Sequence, residues 1–377
     1  MGYTTSLGYT PSFSISKGGE DITGNFADRL TSIIVYSYDG GGCNDTVEVV
    51  IDDRDWSVQA PSIGEGSAVL SIAMGYKESA TYDMGTFQVD EIHFRGMPKA
   101  IVLQGNSLGM NTPAKAPAIV YYESKTLGDI VGSIAQAAGV SAVVDPSLSS
   151  IQVAYLNQHS SHQHLLQELE RRFNGLAKFE DGHLSFTQRG TGLTASGADF
   201  GTFTLTPDDL YTWDIQSNNF NAYSKVRASY VDRNTNQQMW VSSSVAGNPG
   251  STVPHMMKRP YPSQAEAQAA ADAMMSELNR TSKQGTLTLA KGDPSIRGGQ
   301  KFSLSGCRYG MNDNYTVRLA THVLKKESGI TTTLSVYTED DGSDTSTGEM
   351  APTTAPSIDE MTAGSTVPLG QGGVGHN

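Results

Sequence analysis

The chain has 377 residues, a net charge of −13 and 40 glycines, with 37% hydrophobic and 17% charged residues. That length supports two or three cores, and the low charge with abundant glycine suits a β-rich, turn-rich chain better than a helical bundle. The acidic balance argues against a protein that grips phosphates, although an acidic surface can repel a passing polyanion.

In chain order, residues 1–22 lack the charged start and apolar run of a signal peptide, and Gly2 with Ser6 fits only the permissive myristoylation pattern. Cys43 and Cys307 form neither a disulfide framework nor a zinc pattern, which points to synthesis in a reducing compartment. Residues 46–52 (TVEVVID), 68–74 (AVLSIAM), 85–94 (GTFQVDEIHF) and 99–105 (KAIVLQG) alternate or run apolar over strand length. Glycine- or proline-bearing turns separate them, as in a barrel or sandwich.

After a linker at 111–117, Leu127, Ile130, Val131, Ile134 and Ala138 mark one face of a helix. Thr126 is its N-cap, Asp129 sits at the positive end of its dipole and Gly139 follows its last turn. A second helix over 163–173 buries Leu165, Leu166, Leu169 and Phe173, with Ser160 and Gln163 as a capping box. Residues 177–187 read as a hairpin around Asp181 and Gly182. Strand character returns at 221–244. A third helix follows, capped by Ser263 and Glu266, with a stripe of Ala267, Ala271, Met274, Met275 and Leu278. Residues 285–290, 300–306, 314–324 and 330–338 are further strands. From about Thr345 onward there is little to bury, and a flexible tail is expected. No apolar run reaches the roughly 18 residues of a membrane span, so no stable membrane insertion is expected.

Residues 61–66 read PSIGEG and residues 294–299 read PSIRGG. A strand at 44–52 precedes the first, and 87–93, ending in His93, follows it. Residues 221–232 precede the second, and 315–322, ending in His322, follow it. Phe87 and Val89 stand where Tyr315 and Val317 stand. An internal duplication accounts for this, with about fifty residues inserted between Asp232 and Gly285 in the second copy.

Candidates for chemistry are few. Ser107 lies in a Gly-x-Ser-x-Gly run, but the following MNTPAKAP cannot start the helix that a nucleophile elbow requires. His159, His162 and His164 are close together, yet His164 leaves the face that the other two share, and no further ligand lies nearby in sequence. The carboxylates of 52–55 and 339–344 read as solvated turns, without calcium-loop spacing. No nucleotide or zinc-protease motif is present. No catalytic, cofactor-binding or metal site is therefore expected.

The order and spacing of these features resemble the late control protein D, or baseplate hub, family of contractile phage tails. The likeness runs through DITGNFADRLTSIIVYSYDGGGCNDTVEVVIDD, PSIGEGSAVLSIAMGY and GTFQVDEI. It continues through KTLGDIVGSIAQAAG, LNQHSSHQHLLQELERRFNG, GGQKFSLSG and YTVRLATHVL, over roughly residues 10–340. The run at 159–164 departs from the family's more acidic pattern.

The resemblance implies a β-rich α+β fold with two tube-type antiparallel β-barrel domains, at 1–110 and 200–345. A small α/β domain at 118–190 lies between them, a helical insertion occupies about 233–284, and 346–377 is a flexible C-terminal tail. It also implies a homotrimer whose six near-equivalent barrels join a hexameric tail tube to a trimeric central spike. The tape measure protein and other baseplate subunits are the further partners implied, with DNA only passing through the lumen. The expected location is the virion tail baseplate, after assembly in the host cytoplasm. The competing readings are a tailocin or type VI-like secretion hub, related to valine-glycine repeat spike proteins, a hub with peptidoglycan hydrolase activity, and a carbohydrate-binding β protein.

Overall fold

The computed structural model describes residues 9–338 apart from 41–43, 60–67, 108–116, 181–182, 190–200, 218–222, 224, 233–236, 245–253, 281–282, 309 and 327. The first Pro-Ser-Ile turn, Cys43, the turn at Asp181 and Gly182, residues 339–344 and the tail lie outside the described residues.

The chain opens with β1 (Pro11–Lys17), β2 (Glu20–Asp21), the single-turn helix α1 (Thr23–Phe26), β3 (Leu30–Tyr38) and β4 (Thr46–Asp52). There follow β5 (Val69–Tyr76), β6 (Thr81–Arg95) and β7 (Ala100–Ser107). An α/β stretch then carries β8 (Val120–Thr126), α2 (Leu127–Ala138), β9 (Ser141–Val144) and α3 (Pro146–Ser149). It continues with β10 (Gln152–Gln158), α4 (His162–Phe173), β11 (Gly175–Glu180) and β12 (His183–Gln188). Next come β13 (Thr202–Leu205), β14 (Leu210–Ser217), β15 (Lys225–Asp232), β16 (Gln237–Ser244), β17 (His255–Met256) and α5 (Gln264–Arg280). The last strands are β18 (Lys283–Leu289), β19 (Lys301–Leu304), β20 (Asp313–Lys325) and β21 (Gly329–Thr338).

Thirteen of these strands form one sheet, and its order contains the same five-strand run twice: β3-β4-β7-β6-β5 and β14-β18-β21-β20-β19, with all neighbours antiparallel. The match extends to single residues. Leu30 faces Ile51 as Leu210 faces Leu289, and Val35 faces Val47 as Ile215 faces Gly285. Phe87 lies between Leu70 and Ser107 as Tyr315 lies between Phe302 and Thr338. Even the bulges coincide. Thr31 and Tyr211 are the extra residues in β3 and β14, and Asp90 and Arg318 are those in β6 and β20. Because a bulge flips the side-chain alternation, two chance copies of a five-strand order would not share both. At the second bulge the chemistry differs: Asn106 Nδ2 donates to Asp90 (2.6 Å), whereas Arg318 lies over the ring of Tyr337, 5.3 Å from its centroid.

The register also corrects two sequence alignments. Counting through the bulge places His93 beside Thr321, and Phe94 is the counterpart of His322. The histidines taken to close matching strands are one residue out of step. In addition β15, read as the strand leading to the second Pro-Ser-Ile turn, lies in a separate sheet with β16 and β17, against α5. The counterpart of β4 by register is β18.

Each half of the large sheet has a core. Ile33, Val35, Ile72, Met74, Phe87 and their neighbours fill the first, and Leu287, Phe302, Tyr315, Val317 and Leu334 fill the second. Leu127, Ile130, Val131 and Ile134 of α2 pack with Leu165, Leu166, Leu169 and Phe173 of α4 in a third core. At α2 the expected cap is complete: Thr126 and Asp129 cap reciprocally, and Gly139 takes φ +74°. At α4 the cap is Ser161, one residue beyond the expected Ser160, because Ser161 is the residue whose Oγ reaches the third helical N–H. Ser263 Oγ caps α5, but the Glu266 carboxylate turns away from the cap and into the interior.

The two halves meet where β3 pairs with β20, and the second Pro-Ser-Ile turn packs against that seam. Tyr38 and Asp39 pass so close to Gly298 that an added Cβ would lie 2.2 Å from the Tyr38 carbonyl carbon. Gly298 N–H donates to Ser37 Oγ (3.2 Å), and Tyr76 OH donates to the Gly292 carbonyl (2.8 Å). Arg297 reaches the Asp83 carbonyl. Behind the turn His322 is fully buried. Its Nε2–H donates to the Ile296 carbonyl (2.9 Å) and its Nδ1 accepts from the Thr332 hydroxyl (3.0 Å). Both ring nitrogens are thus satisfied in the neutral form. Burial, with Arg297 adding repulsion, pushes the His322 pKa down to about 4.

Two expectations follow for stability. Gly298→Ala forces backbone apart and lowers unfolding stability by about 2 kcal/mol or more. Gly132→Ala, in α2 with open space around it, raises stability by about 0.5–1 kcal/mol. Thermal melts of the two variants check both signs. For His322 the unfolded ring titrates near 6.5 and the folded ring near 4. Between these values the unfolded chain holds the extra proton, so the contribution is full above pH 6.5 and is lost as pH falls toward 4, by up to about 3 kcal/mol. Urea midpoints across that window should fall less steeply in His322→Gln, which retains an amide donor and acceptor.

Candidate functional site

Among the described residues, the sequence candidates for chemistry do not come together in one site. Ser107 ends β7 opposite Phe87, and its hydroxyl is buried without a hydrogen-bond partner. Among the described residues no base is hydrogen-bonded to it to take a proton. His159 meets Tyr121 edge-on (ring centroids 5.9 Å), whereas His162 is buried and its Nδ1 accepts from Gln158 Nε2 (3.1 Å). Burial lowers the His162 pKa. The exposed His164 gives only its backbone N–H to Ser161. The three rings thus take three different environments. Among the described residues no group of three or more His, Cys, Asp or Glu side chains could hold a metal ion.

The carboxylates of 52–55 are held in local turn pairs. Asp55 makes a forked contact to Arg29 (2.6 and 2.7 Å), which holds its carboxyl well below the usual carboxylate range. Asp52 pairs with Arg54 (2.9 Å), and Asp53 accepts from the Val58 N–H (3.2 Å). Cys307 is half-buried, and burial raises its thiol pKa, the opposite of what a nucleophilic thiolate requires. A polar cleft of about 240 Å³ lies along β14, β18 and β21, lined by residues including Asp214, Gln216, Gln284 and Arg318.

Buried polar chemistry is found instead where elements of the chain meet, so the candidate site is the set of joints between them. Asp39, just past β3, accepts from Tyr337 OH (3.1 Å) and lies 3.6 Å from Arg189 Nη1. Asp45, before β4, accepts from the Tyr38 N–H (2.9 Å) and pairs with Lys178 Nζ (3.1 Å). Both carboxylates and Lys178 are buried. The β11–β12 hairpin therefore grips the β3–β4 connection through two cation–carboxylate pairs. Gly40, at φ +122°, lets Leu176 close in: an added Cβ would stand 3.2 Å from it.

A third anchor joins α5 to the α/β stretch. Glu266 is wholly buried, accepts from the Ala154 N–H (3.0 Å) and pairs with Arg172. Removing one partner of a buried pair strands the other charge, at a cost of roughly 3–5 kcal/mol. Such pairs are specific joints between units that would otherwise rotate against one another. Sequence reading missed Asp39, Asp45, Lys178 and Arg189, because no spacing rule connects residues so far apart in the chain. Glu266 was singled out, but for a cap that its carboxylate does not make.

No family model matches the chain. A probable baseplate hub protein of Escherichia phage 186 is 31% identical over 228 residues, which is 60% of this chain and 57% of that protein. The match thus spans little more than half the length of that relative. Among solved structures, a tail protein from Neisseria meningitidis MC58 superposes with a TM-score of 0.63 at 13% identity, covering 88% of this chain and 97% of that one. The E. coli c3393 protein, described as a type VI secretion component structurally similar to T4 bacteriophage tail proteins, superposes with a TM-score of 0.52 at 10% identity, covering 87% and 77%. The resemblance to the baseplate hub family is therefore borne out in sequence over 228 residues, fewer than the span 10–340 over which it is read above, and the fold is that of the matched tail proteins.

Proposed function

We propose that the chain is a structural subunit of a phage tail baseplate hub, without enzymatic activity, that acts by geometry. The observation that carries this is the repeated five-strand run with matching bulges. A chain holding two near-equivalent units, in three copies, offers six similar positions on a threefold axis. That is what an adaptor needs between a sixfold tail tube and a threefold spike. In this reading the first half (1–110) and the second (200–345, with its insertion) are two tube-type β-barrel domains. The α/β domain at 118–190 braces them, and 346–377 is a flexible tail. The partners are the tail tube, the central spike, the end of the tape measure protein and other baseplate subunits. DNA passes through the lumen without being held, in keeping with the acidic balance, and the location is the virion.

The fold likeness to a type VI secretion component favours one second reading, the hub of a tailocin or secretion machine with the same architecture and different cargo. The anchors at Asp39, Asp45 and Glu266 suit either, since both must keep their units rigid under load. The test is the mass of the full chain by light scattering, alone and with its spike. The expected mass is that of three chains. A chain that stays monomeric in both conditions overturns the reading, and one that also degrades peptidoglycan favours an enzyme instead.

A further inference from the structure

Within one chain β3 is flanked on one side by β4 and on the other by Leu319–Lys325 of β20. Its counterpart β14 is flanked by β18 alone among the described residues. The complementary edge is also present. β20 runs past the end of β19 and uses the overhang to meet β3. β6 runs past the end of β5 in the same way, since the last β5–β6 pair is Val69 with Gln88, and among the described residues no strand pairs with Glu91–Arg95 on that side. One chain therefore carries one completed seam and the two separate halves of a second.

We propose that a second copy of this chain lays its β6 overhang along β14, in the register that β20 keeps with β3. The repeat fixes that register. His322 opposite Val35 becomes Phe94 opposite Ile215, which sets Ile92 against Ser217, His93 against Gln216 and Arg95 against Asp214.

The side chains fit on both faces. On the core face of the internal seam, Ile33, Val35 and His322 are 0%, 1% and 0% exposed. Their counterparts Trp213 and Phe94 are 51% and 68% exposed, with Ile215 half-buried. The two free edges thus present large apolar groups at the positions that the internal seam buries, a liability that strand addition removes. On the opposite face the register brings a guanidinium against a carboxylate, and directly opposed side chains in an antiparallel pair lie roughly 5 Å apart. The inference rests on the multi-copy reading above and adds to it the interface and its register.

The test uses the full chain with Cys43→Ser and Cys307→Ser, carrying His93→Cys and Gln216→Cys, which antiparallel opposition brings within disulfide reach. Mild oxidation should give reducible, covalently linked multimers. Moving one cysteine by a residue, as His93→Cys with Ile215→Cys, puts the two thiols on opposite faces and should give none. Separately, Arg95→Asp should weaken association at least tenfold, and adding Asp214→Arg should restore it. A sample that light scattering shows to be multimeric but that forms no His93–Gln216 crosslink, or that links the offset pair instead, overturns this interface and leaves the hub reading standing. A sample that is monomeric throughout overturns both.

Discussion

Seven consecutive residue pairs between β3 and β20 hold the molecule together. Each half of the large sheet already has its own strands and core, so this seam alone converts two repeats into one continuous sheet. It is antiparallel, apolar on the core face, and sealed by the Pro-Ser-Ile turn whose Gly298 admits the backbone of Tyr38 and Asp39. His322 sits in the seam as a neutral ring with both nitrogens used. A charged residue there would meet the full cost of desolvation. The seam is thus tolerant of neither added bulk nor added charge.

Around the seam, charge is used sparingly and at joints. Asp39 and Asp45 bracket the connection between β3 and β4, and the cations that meet them come from the α/β stretch, not from the sheet. Glu266 and Arg172 do the same for α5. A buried pair contributes little net stability against a well-packed apolar replacement. Its effect here is to fix where one unit sits on another, which hydrophobic contact alone defines poorly.

The sequence made local features legible and left distant ones hidden. The α2 cap, its apolar face and its terminal glycine follow from spacing within one helix, and they stand as read. The strands β4, β18 and β21 follow from alternation. The duplication was legible only in an echo of six residues and the strands flanking it, because the repeats share pairing and bulges rather than residue identities: Val47 corresponds to Gly285, and Leu70 to Phe302. Strand β15 misled because a good strand pattern does not say which sheet it joins. The buried pairs were invisible because Asp45 and Lys178 are made neighbours by the fold, with no sequence period to connect them.

The bulge shared by β6 and β20 places Asp90 and Arg318 at one position of the repeat with opposite charge. The backbone therefore has a shorter period than the side chains mounted on it. In the ring proposed above, the strand frame would repeat twice for each charge pattern. A partner that reads backbone edges meets the higher symmetry, and one that reads this charge meets half of it. In that ring a single polypeptide would be addressed in two symmetries at once, by partners that touch different layers of the same strand.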